Sequence, residues 1–199
     1  MYNCDESQII KFDADFDEDF DNVLLEILGN IKRIYFLNTK GFGIKAKPQD
    51  SKFNKSVDLL PNEITHIKFG SSFNQPVDNL PNHLVWLEFG KSFNQPVDSL
   101  PHTITYLILG DDFNHSVDDL PNLLEYISFG KNFNQSIDCL PDSIQFINIG
   151  NIYSTFGKIT NHLPSSLNNL VIHHCKKKYP IKFNFVEQLN NKIKYNFIE

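Results

Sequence analysis

Residues 73–92 read FNQPVDNLPNHLVWLEFGKS, and the pattern in this stretch decides the fold. It occurs five times without a gap between residues 53 and 152, and every unit is 20 residues long. Each unit opens with Phe-Asn and continues with Asp-x-Leu-Pro. A fixed period of this length is typical of a solenoid, in which neighbouring coils stack to bury a shared apolar face. The repeat therefore predicts one continuous stack of coils.

Each unit contains one short strand. In residues 73–92 it is Leu87-Glu88-Phe89, and this alternation of apolar and polar residues indicates a half-buried strand. Because a short coil has room for one strand and a few turns, strands of successive units should pair in parallel, about 4.7–4.9 Å apart. The Pro after each Leu has no N–H donor and should lie outside the ladder. The Gly after each strand is expected to make a turn with positive φ.

Equivalent residues of the units form columns along the stack. The Phe, the Val or Ile four residues later, the Leu before Pro and two strand positions are predicted to fill the coil interior. The column that starts at Asn54 should form an amide ladder, bonded to side chains or to turn backbone. The column that starts at Asp58 should accept from backbone N–H groups in Asx turns. A string of calcium sites is the alternative, although the column offers only one carboxylate per coil.

These features resemble the FNIP-repeat family, which is related to leucine-rich repeats and occurs in amoebae and giant viruses. The resemblance rests on Phe-Asn-Gln-Pro at 73–76 and 93–96, on the Leu-Pro steps, and on Phe-Gly at 69–70, 89–90 and 129–130. It implies a mainly β, right-handed, horseshoe-shaped solenoid with a parallel sheet on its concave face and little helix. It also implies the cytoplasm of an amoeba or of a virus-infected host cell.

The repeat alignment predicts a single solenoid domain over residues 1–199. Its parts are N-terminal capping coils at 1–36, an inserted loop at 37–52, five repeats at 53–152, and a degenerate repeat with a C-terminal cap at 153–199. The inserted loop is either a solvated connection or a recognition loop, since long loops on rigid scaffolds often carry binding. Family members often carry an F-box ahead of their repeats, and the segment before the loop is too short for one.

Composition argues against a nucleic-acid or membrane partner. The net charge of −6 disfavours nucleic acid, and no apolar run reaches the length of about 18 residues that a membrane span needs. Residues 1–20 lack the basic start and apolar middle of a secretory signal. The three cysteines, Cys4, Cys139 and Cys175, are scattered and odd in number, which suits a reducing compartment. We therefore expect a cytoplasmic protein.

No motif for catalysis, a metal or a cofactor is found in the sequence. No Gly-rich phosphate loop follows a strand, and neither Gly-x-Ser-x-Gly nor His-Glu-x-x-His occurs. His173, His174 and Cys175, with His162, are a weak candidate for metal ligands because no second regular pair accompanies them. We therefore expect no catalytic residue, no bound metal and no cofactor, and a chain that is not an enzyme.

Two columns of strand residues should face away from the coil interior, because alternate residues of a strand point to opposite faces. The predicted partner-binding residues are His66, Trp86, Tyr106, Tyr126 and Phe146 in the first column, and Lys68 and Glu88 in the second. Exposed aromatic residues of this kind are enriched in interface hot spots. The alternative is that the rings only stabilise one another by stacking.

The sequence thus predicts a non-catalytic protein–protein interaction module that binds its partner through this aromatic face. The partner would be a host protein or a second copy of the chain, which would give a homo-oligomer. One alternative is a substrate-recognition subunit of a ubiquitin ligase whose F-box lies on another chain. Another is a carbohydrate-binding or enzymatic β-solenoid that uses the same face.

Overall fold

A computed structural model describes residues 2–4, 8–40, 47–48, 50–150, 162–173 and 194–198. Its strands are β1 Tyr2–Cys4, β2 Ile9–Phe12, β3 Arg33–Phe36, β4 Thr39–Lys40, β5 Lys47–Pro48, β6 His66–Lys68, β7 Trp86–Glu88, β8 Tyr106–Ile108, β9 Tyr126–Phe129, β10 Phe146–Ile149, β11 Asn169–His173 and β12 Lys194–Ile198. The one helix in these residues is α1, Asn22–Leu28.

One ten-stranded sheet runs along the chain in the order β1-β2-β3-β6-β7-β8-β9-β10-β11-β12. The first pairing, β1 with β2, is antiparallel. All later pairings in this sheet are parallel. The strands β4 and β5 form a separate antiparallel pair. The protein is therefore a mainly β solenoid with a parallel sheet and almost no helix, as the sequence predicted.

A single apolar core follows the stack from the first parallel strand to β11. Each predicted interior column is buried, as Phe93, Val97, Leu100 and Leu107 show for one coil and the next strand. The ring of Phe93 stacks on that of Phe89 with centroids 3.6 Å apart. Burying a side chain of this size contributes roughly 1.5–3 kcal/mol. Since each coil repeats this arrangement, the core is continuous along the stack, and each coil contributes its own layer of side chains.

The Asn column forms the predicted ladder, and its bonds run from backbone to side chain. The backbone N–H of each Asn donates to the Oδ1 atom of the Asn one coil earlier. These four bonds are 2.8, 2.8, 2.9 and 3.0 Å long, for Asn74, Asn94, Asn114 and Asn134 in that order. At the start of the ladder, Asn54 donates instead to Oδ1 of Asp17. The capping coil thus supplies the first acceptor.

In the coils that carry Ser two residues before the Asp, the Asp column is arranged differently from the expected Asx turns. The hydroxyl of Ser56 donates to the Asp58 carboxylate over 2.9 Å, and the Asp58 backbone N–H donates back to that hydroxyl over 3.2 Å. Ser116 and Asp118 repeat this reciprocal pair. Both carboxylates are exposed, so water screens the repulsion between neighbouring coils.

Gly is required in the Gly column for a different physical reason from the one predicted. None of these glycines has φ in the left-handed range, so the prediction of positive φ was wrong. A Cβ atom at Gly110 would instead overlap the backbone carbonyl of Gly90, and Gly90 stands in the same relation to Gly70. The backbones of successive coils approach too closely here for any side chain. Gly is required for close packing rather than for turn conformation.

The N-terminal coil belongs to the stack. The strand β2 pairs in parallel with β3, so residues 9–12 continue the sheet. The ring of Phe16 lies 4.2 Å from that of Phe12 and 5.6 Å from that of Phe53, centroid to centroid. The helix α1 lies between β2 and β3 in the chain. The antiparallel strand β1 has no counterpart in the repeat and was not predicted.

The insertion at 37–52 is anchored to the stack at its base. Oδ1 of Asn38 accepts from the backbone N–H of Ser51 and of Ser71, over 3.3 and 2.8 Å. Ser51 is fully buried. Between these anchors, β4 pairs with β5, while residues 41–46 and 49 lie outside the described residues.

The degenerate repeat after the insertion near residue 153 keeps the register of the stack. Leu167, Leu170 and Ile172 are buried in the core, and β11 pairs in parallel with both β10 and β12. The carboxylate of Asp142 accepts from the backbone N–H of Ser165 over 2.8 Å, which ties the last regular coil to this one. The predicted boundaries within 153–199 fall largely on residues 151–161 and 174–193, outside the described residues.

Candidate functional site

The candidate site is the outer sheet face, defined as the strand positions that point away from the core. Its first column runs Ile9, Arg33, His66, Trp86, Tyr106, Tyr126, Phe146 and Asn169, each directly paired with the next. Its second column runs Lys11, Tyr35, Lys68, Glu88, Ile108, Ser128, Asn148 and Val171. The residue between the two columns is buried on every one of these strands.

Five neighbouring members of the first column form the aromatic stripe: His66, Trp86, Tyr106, Tyr126 and Phe146. They are half-buried, neither enclosed in the core nor freely solvated. Their ring centroids follow one another at 6.3, 5.7, 4.0 and 5.0 Å, with interplanar angles of 25°, 17°, 6° and 18°. The parallel register of the sheet produces this stack, because it places equivalent residues beside one another.

The stacking decides which part of each ring a partner can reach. Tyr106 and Tyr126 are nearly parallel at 4.0 Å, so no base or sugar fits between their faces. Ring faces point along the stack at their neighbours, and ring edges point outward. Burial, a hydrogen bond with Tyr126 and the charge of Glu88 raise the pKa of Tyr106 to about 12. Tyr106 therefore presents a neutral hydroxyl at physiological pH, beside the C–H edges of the stripe.

The second column is polar beside the stripe except at Ile108. Lys68 Nζ lies 2.7 Å from Glu88 Oε1, and an exposed pair of this kind contributes about 0–1 kcal/mol. Further along, the Asn148 amide donates to the Ser128 hydroxyl over 3.1 Å. The structure thus brings both predicted second-column residues, Lys68 and Glu88, together in one ion pair next to the stripe.

The face is basic at its N-terminal end. Lys11, Arg33 and Lys68 are outward positions on β2, β3 and β6. Burial, and then the charge of Arg33, lower the pKa of His66 below its ordinary value. Its Nδ1 atom lies 2.8 Å from the Thr65 hydroxyl. Neither Lys11 nor Arg33 was predicted as a binding residue, and the signal for Lys11 was the alternation of Ile9–Phe12, which places it outward.

No arrangement for metal binding or activated cysteine chemistry is found in the described part of the chain. No group of three or more His, Cys, Asp or Glu side chains there could hold a metal ion. Of the weak candidate ligands, His174 and Cys175 lie outside the described residues. Cys139 is exposed, and the carboxylate of Asp118 raises the pKa of its thiol. The reactive thiolate is therefore disfavoured at this position.

A stack of 20-residue coils, with one parallel strand per coil and an outer sheet face that varies from coil to coil, defines a repeat solenoid. The particular kind is given by the FNIP Repeat family model, which matches residues 53–92 and 116–151. Residues 53–92 and 116–151 are thus FNIP repeats, as the sequence predicted. Comparison with curated proteins gives no match. None of the described helices has the length and apolar character needed to span a membrane.

Proposed function

We propose that this FNIP-repeat solenoid is a non-catalytic protein-interaction module of the cytoplasm, and that the aromatic stripe contacts its partner. The observation that carries the proposal is the half-exposure of large rings at positions that the core does not need. The core is filled by other columns, such as those of Phe93 and Leu107. Stacking explains part of the rings' presence, but it leaves their outward edges available to a partner.

The stripe has the composition of interface hot spots. Trp and Tyr dominate measured binding energies because they bury large areas at low entropic cost. Trp86 and Tyr106 stand at the middle of the face, on adjacent strands, where a partner would exclude water most completely. Because these rings are held on a rigid sheet, they lose less conformational entropy when a partner binds.

A protein partner fits the ring geometry better than a carbohydrate. Sugars pack on the faces of aromatic rings, and here neighbouring rings cover those faces. A substrate-recognition subunit of a ubiquitin ligase would use the same face for its substrate, so identification of the captured proteins separates that alternative from a simple binary complex.

The test compares the double variant Trp86→Ser/Tyr106→Ser with a matched control. Leu59 and Leu123 are exposed apolar residues outside the stripe, 67% and 59% exposed, so Leu59→Ser/Leu123→Ser removes apolar surface elsewhere. A partner captured from host extract is identified, purified and titrated against each variant. We expect the stripe variant to lose at least about 2 kcal/mol of binding free energy, roughly 30-fold in affinity, and the control to bind normally.

Two results would contradict the proposal. Unfolding of Trp86→Ser/Tyr106→Ser, seen by circular dichroism and thermal melting, would show that the rings belong to the core. A folded stripe variant that binds the partner with unchanged affinity would show that the interface lies elsewhere, and the insertion at 37–52 would then be tested next.

A further inference from the structure

We propose that the occupant of the outer sheet face is a peptide segment with acidic residues at one end and apolar residues along the remainder. This rests on the proposed function, since it specifies the chemistry of the partner that the aromatic stripe binds. It follows from three features of the face: its uneven charge, the orientation of its rings and its length.

The charge of the face is positive at one end and neutral along the rest. The unpaired positive charges are Lys11 and Arg33, at outward positions of β2 and β3. From β7 to β11, Glu88 is the one charged residue of the two columns, and Lys68 neutralises it at 2.7 Å. Neither Lys11 nor Arg33 makes an ion pair within the described chain. The protein as a whole has a net charge of −6, so the basic end is a local exception that selects for carboxylates.

Ring orientation points to the same partner. The edge of an aromatic ring is the positive side of its quadrupole and the face is the negative side. Cations bind ring faces, and in the stripe neighbouring rings at 4.0–6.3 Å cover those faces, except the outer faces of the terminal His66 and Phe146. Outward edges accept apolar groups and carbonyl oxygens instead. A basic or methylated-lysine segment therefore finds neither the charge nor the ring faces that it needs.

The same geometry argues against single-stranded nucleic acid, although its phosphates would suit Arg33. Bases bind aromatic platforms by stacking on ring faces. With Tyr106 and Tyr126 at 4.0 Å, a base cannot enter between these two rings. An acidic peptide is anionic and does not need to stack on ring faces. It therefore fits both the basic end of the face and the aromatic stripe.

The length of the face sets the length of the peptide. From β2 to β10 the sheet order gives six strand spacings, which is about 29 Å at roughly 4.8 Å each. An extended chain covers that distance with about nine residues. The first three would lie over the basic end, between Lys11 and Lys68, and the others over the rings from Trp86 to Phe146.

The experiment measures fluorescence anisotropy of labelled probes with the whole protein. The acidic probe is the nonapeptide DDELSFSLF, the basic probe is KKRLSFSLF, and the nucleic-acid probe is a nine-nucleotide oligouridine. We expect the acidic probe to bind at least about tenfold more tightly than the basic one, with an affinity that falls as salt is added. Lys11→Glu/Arg33→Glu should remove this preference. Lys91→Glu, an exposed lysine of the turn after β7, should retain it.

The outcomes separate this inference from the proposed function. Suppose that the acidic and basic peptides bind with equal affinity and that Trp86→Ser/Tyr106→Ser binds neither. The stripe then binds peptides without selecting for charge, so this inference is overturned while the proposed function stands. Failure of the acidic probe to bind at millimolar concentration also overturns it, whatever the pull-down gives. Tight oligouridine binding would overturn both. Each variant is checked by thermal melting, so a loss of binding is not a loss of fold.

Discussion

At the residue scale, the Gly column is the tightest constraint in the molecule. Its positions follow the strands in every regular coil, and sequence alone made a turn with positive φ the natural explanation. The structure shows instead that backbones of successive coils meet there. A sequence states that Gly is needed at a position. It does not state whether conformation or space is the reason, because the second depends on the neighbouring coil.

Gly110→Ala tests the close approach. Where φ is negative and space is free, Gly→Ala stabilises by about 0.4–1 kcal/mol. At Gly110 the added Cβ would overlap the Gly90 carbonyl, so we expect the free energy of unfolding to fall by about 1–3 kcal/mol or more. Urea denaturation measures it. Ser92→Ala, in the turn after Gly90, is the control and should change little. A stabilised Gly110→Ala would refute the account.

His66 should make stability depend on pH. Its folded-state pKa is lowered from 6.5, first by burial and then by Arg33. The folded state therefore binds fewer protons than the unfolded state between these two values. The contribution of neutral His66 to the free energy of unfolding is fully present above pH 6.5. It is lost as the pH decreases toward the lowered pKa of the folded state. Denaturation at about pH 8 and about pH 5 should show a smaller decrease for His66→Gln than for the wild type. His102→Gln, in an exposed turn, should behave as the wild type.

At the element scale, the regular coils could be predicted and the irregular segments could not. The strand around Leu87, the outward column at Trp86 and the core position of Phe93 follow from alternation and period. The antiparallel strand β1, the pair β4–β5 and the clamp made by Asn38 occur once each. These features do not follow the 20-residue repeat. Their contacts join residues whose spacing in the sequence is not a multiple of that period, so the repeat could not predict them.

Asn38 should hold the insertion to the stack. Its Oδ1 atom accepts from two backbone N–H groups, those of Ser51 and Ser71. Asn38→Ala removes the acceptor and should lower the free energy of unfolding by about 1–3 kcal/mol, because the N–H of the buried residue Ser71 loses its acceptor. The N–H of Ser51 keeps a second acceptor, the Ser71 hydroxyl at 3.0 Å. Asn38→Asp keeps an oxygen acceptor and should retain most of the stability. Equal losses in both variants would show that this hydrogen bonding is not the cause.

At the scale of the whole molecule, stability is a sum over coils and the contacts between them. The sequence predicted the stack, its register and which residues share the outer sheet face. It did not predict the ion pair between Lys68 and Glu88, or that neighbouring rings cover each other's faces. Both features depend on side-chain rotamers, which cannot be predicted from the repeat pattern. The basic end was missed because Arg33 and Lys11 lie in the degenerate coils.

Removing one whole coil should therefore leave a folded protein. Deletion of residues 93–112 joins Ser92 to Phe113 and keeps every column in register. We expect a cooperative transition whose denaturant dependence falls by about a tenth, in proportion to the surface buried. Deletion of residues 93–102 shifts the next coil by half a period and should prevent folding. If both deletions fold equally well, the columns do not determine the structure.

The aromatic stripe also has an optical consequence. Trp86 is the sole tryptophan, and it lies in the stripe with Tyr106 beside it at 5.7 Å. Light absorbed by the neighbouring tyrosines can pass to Trp86, whose emission wavelength depends on the water around its ring. The protein thus carries an intrinsic fluorophore in the middle of the face that we propose for binding. Occupation of that face can be followed on the unlabelled, unmodified chain.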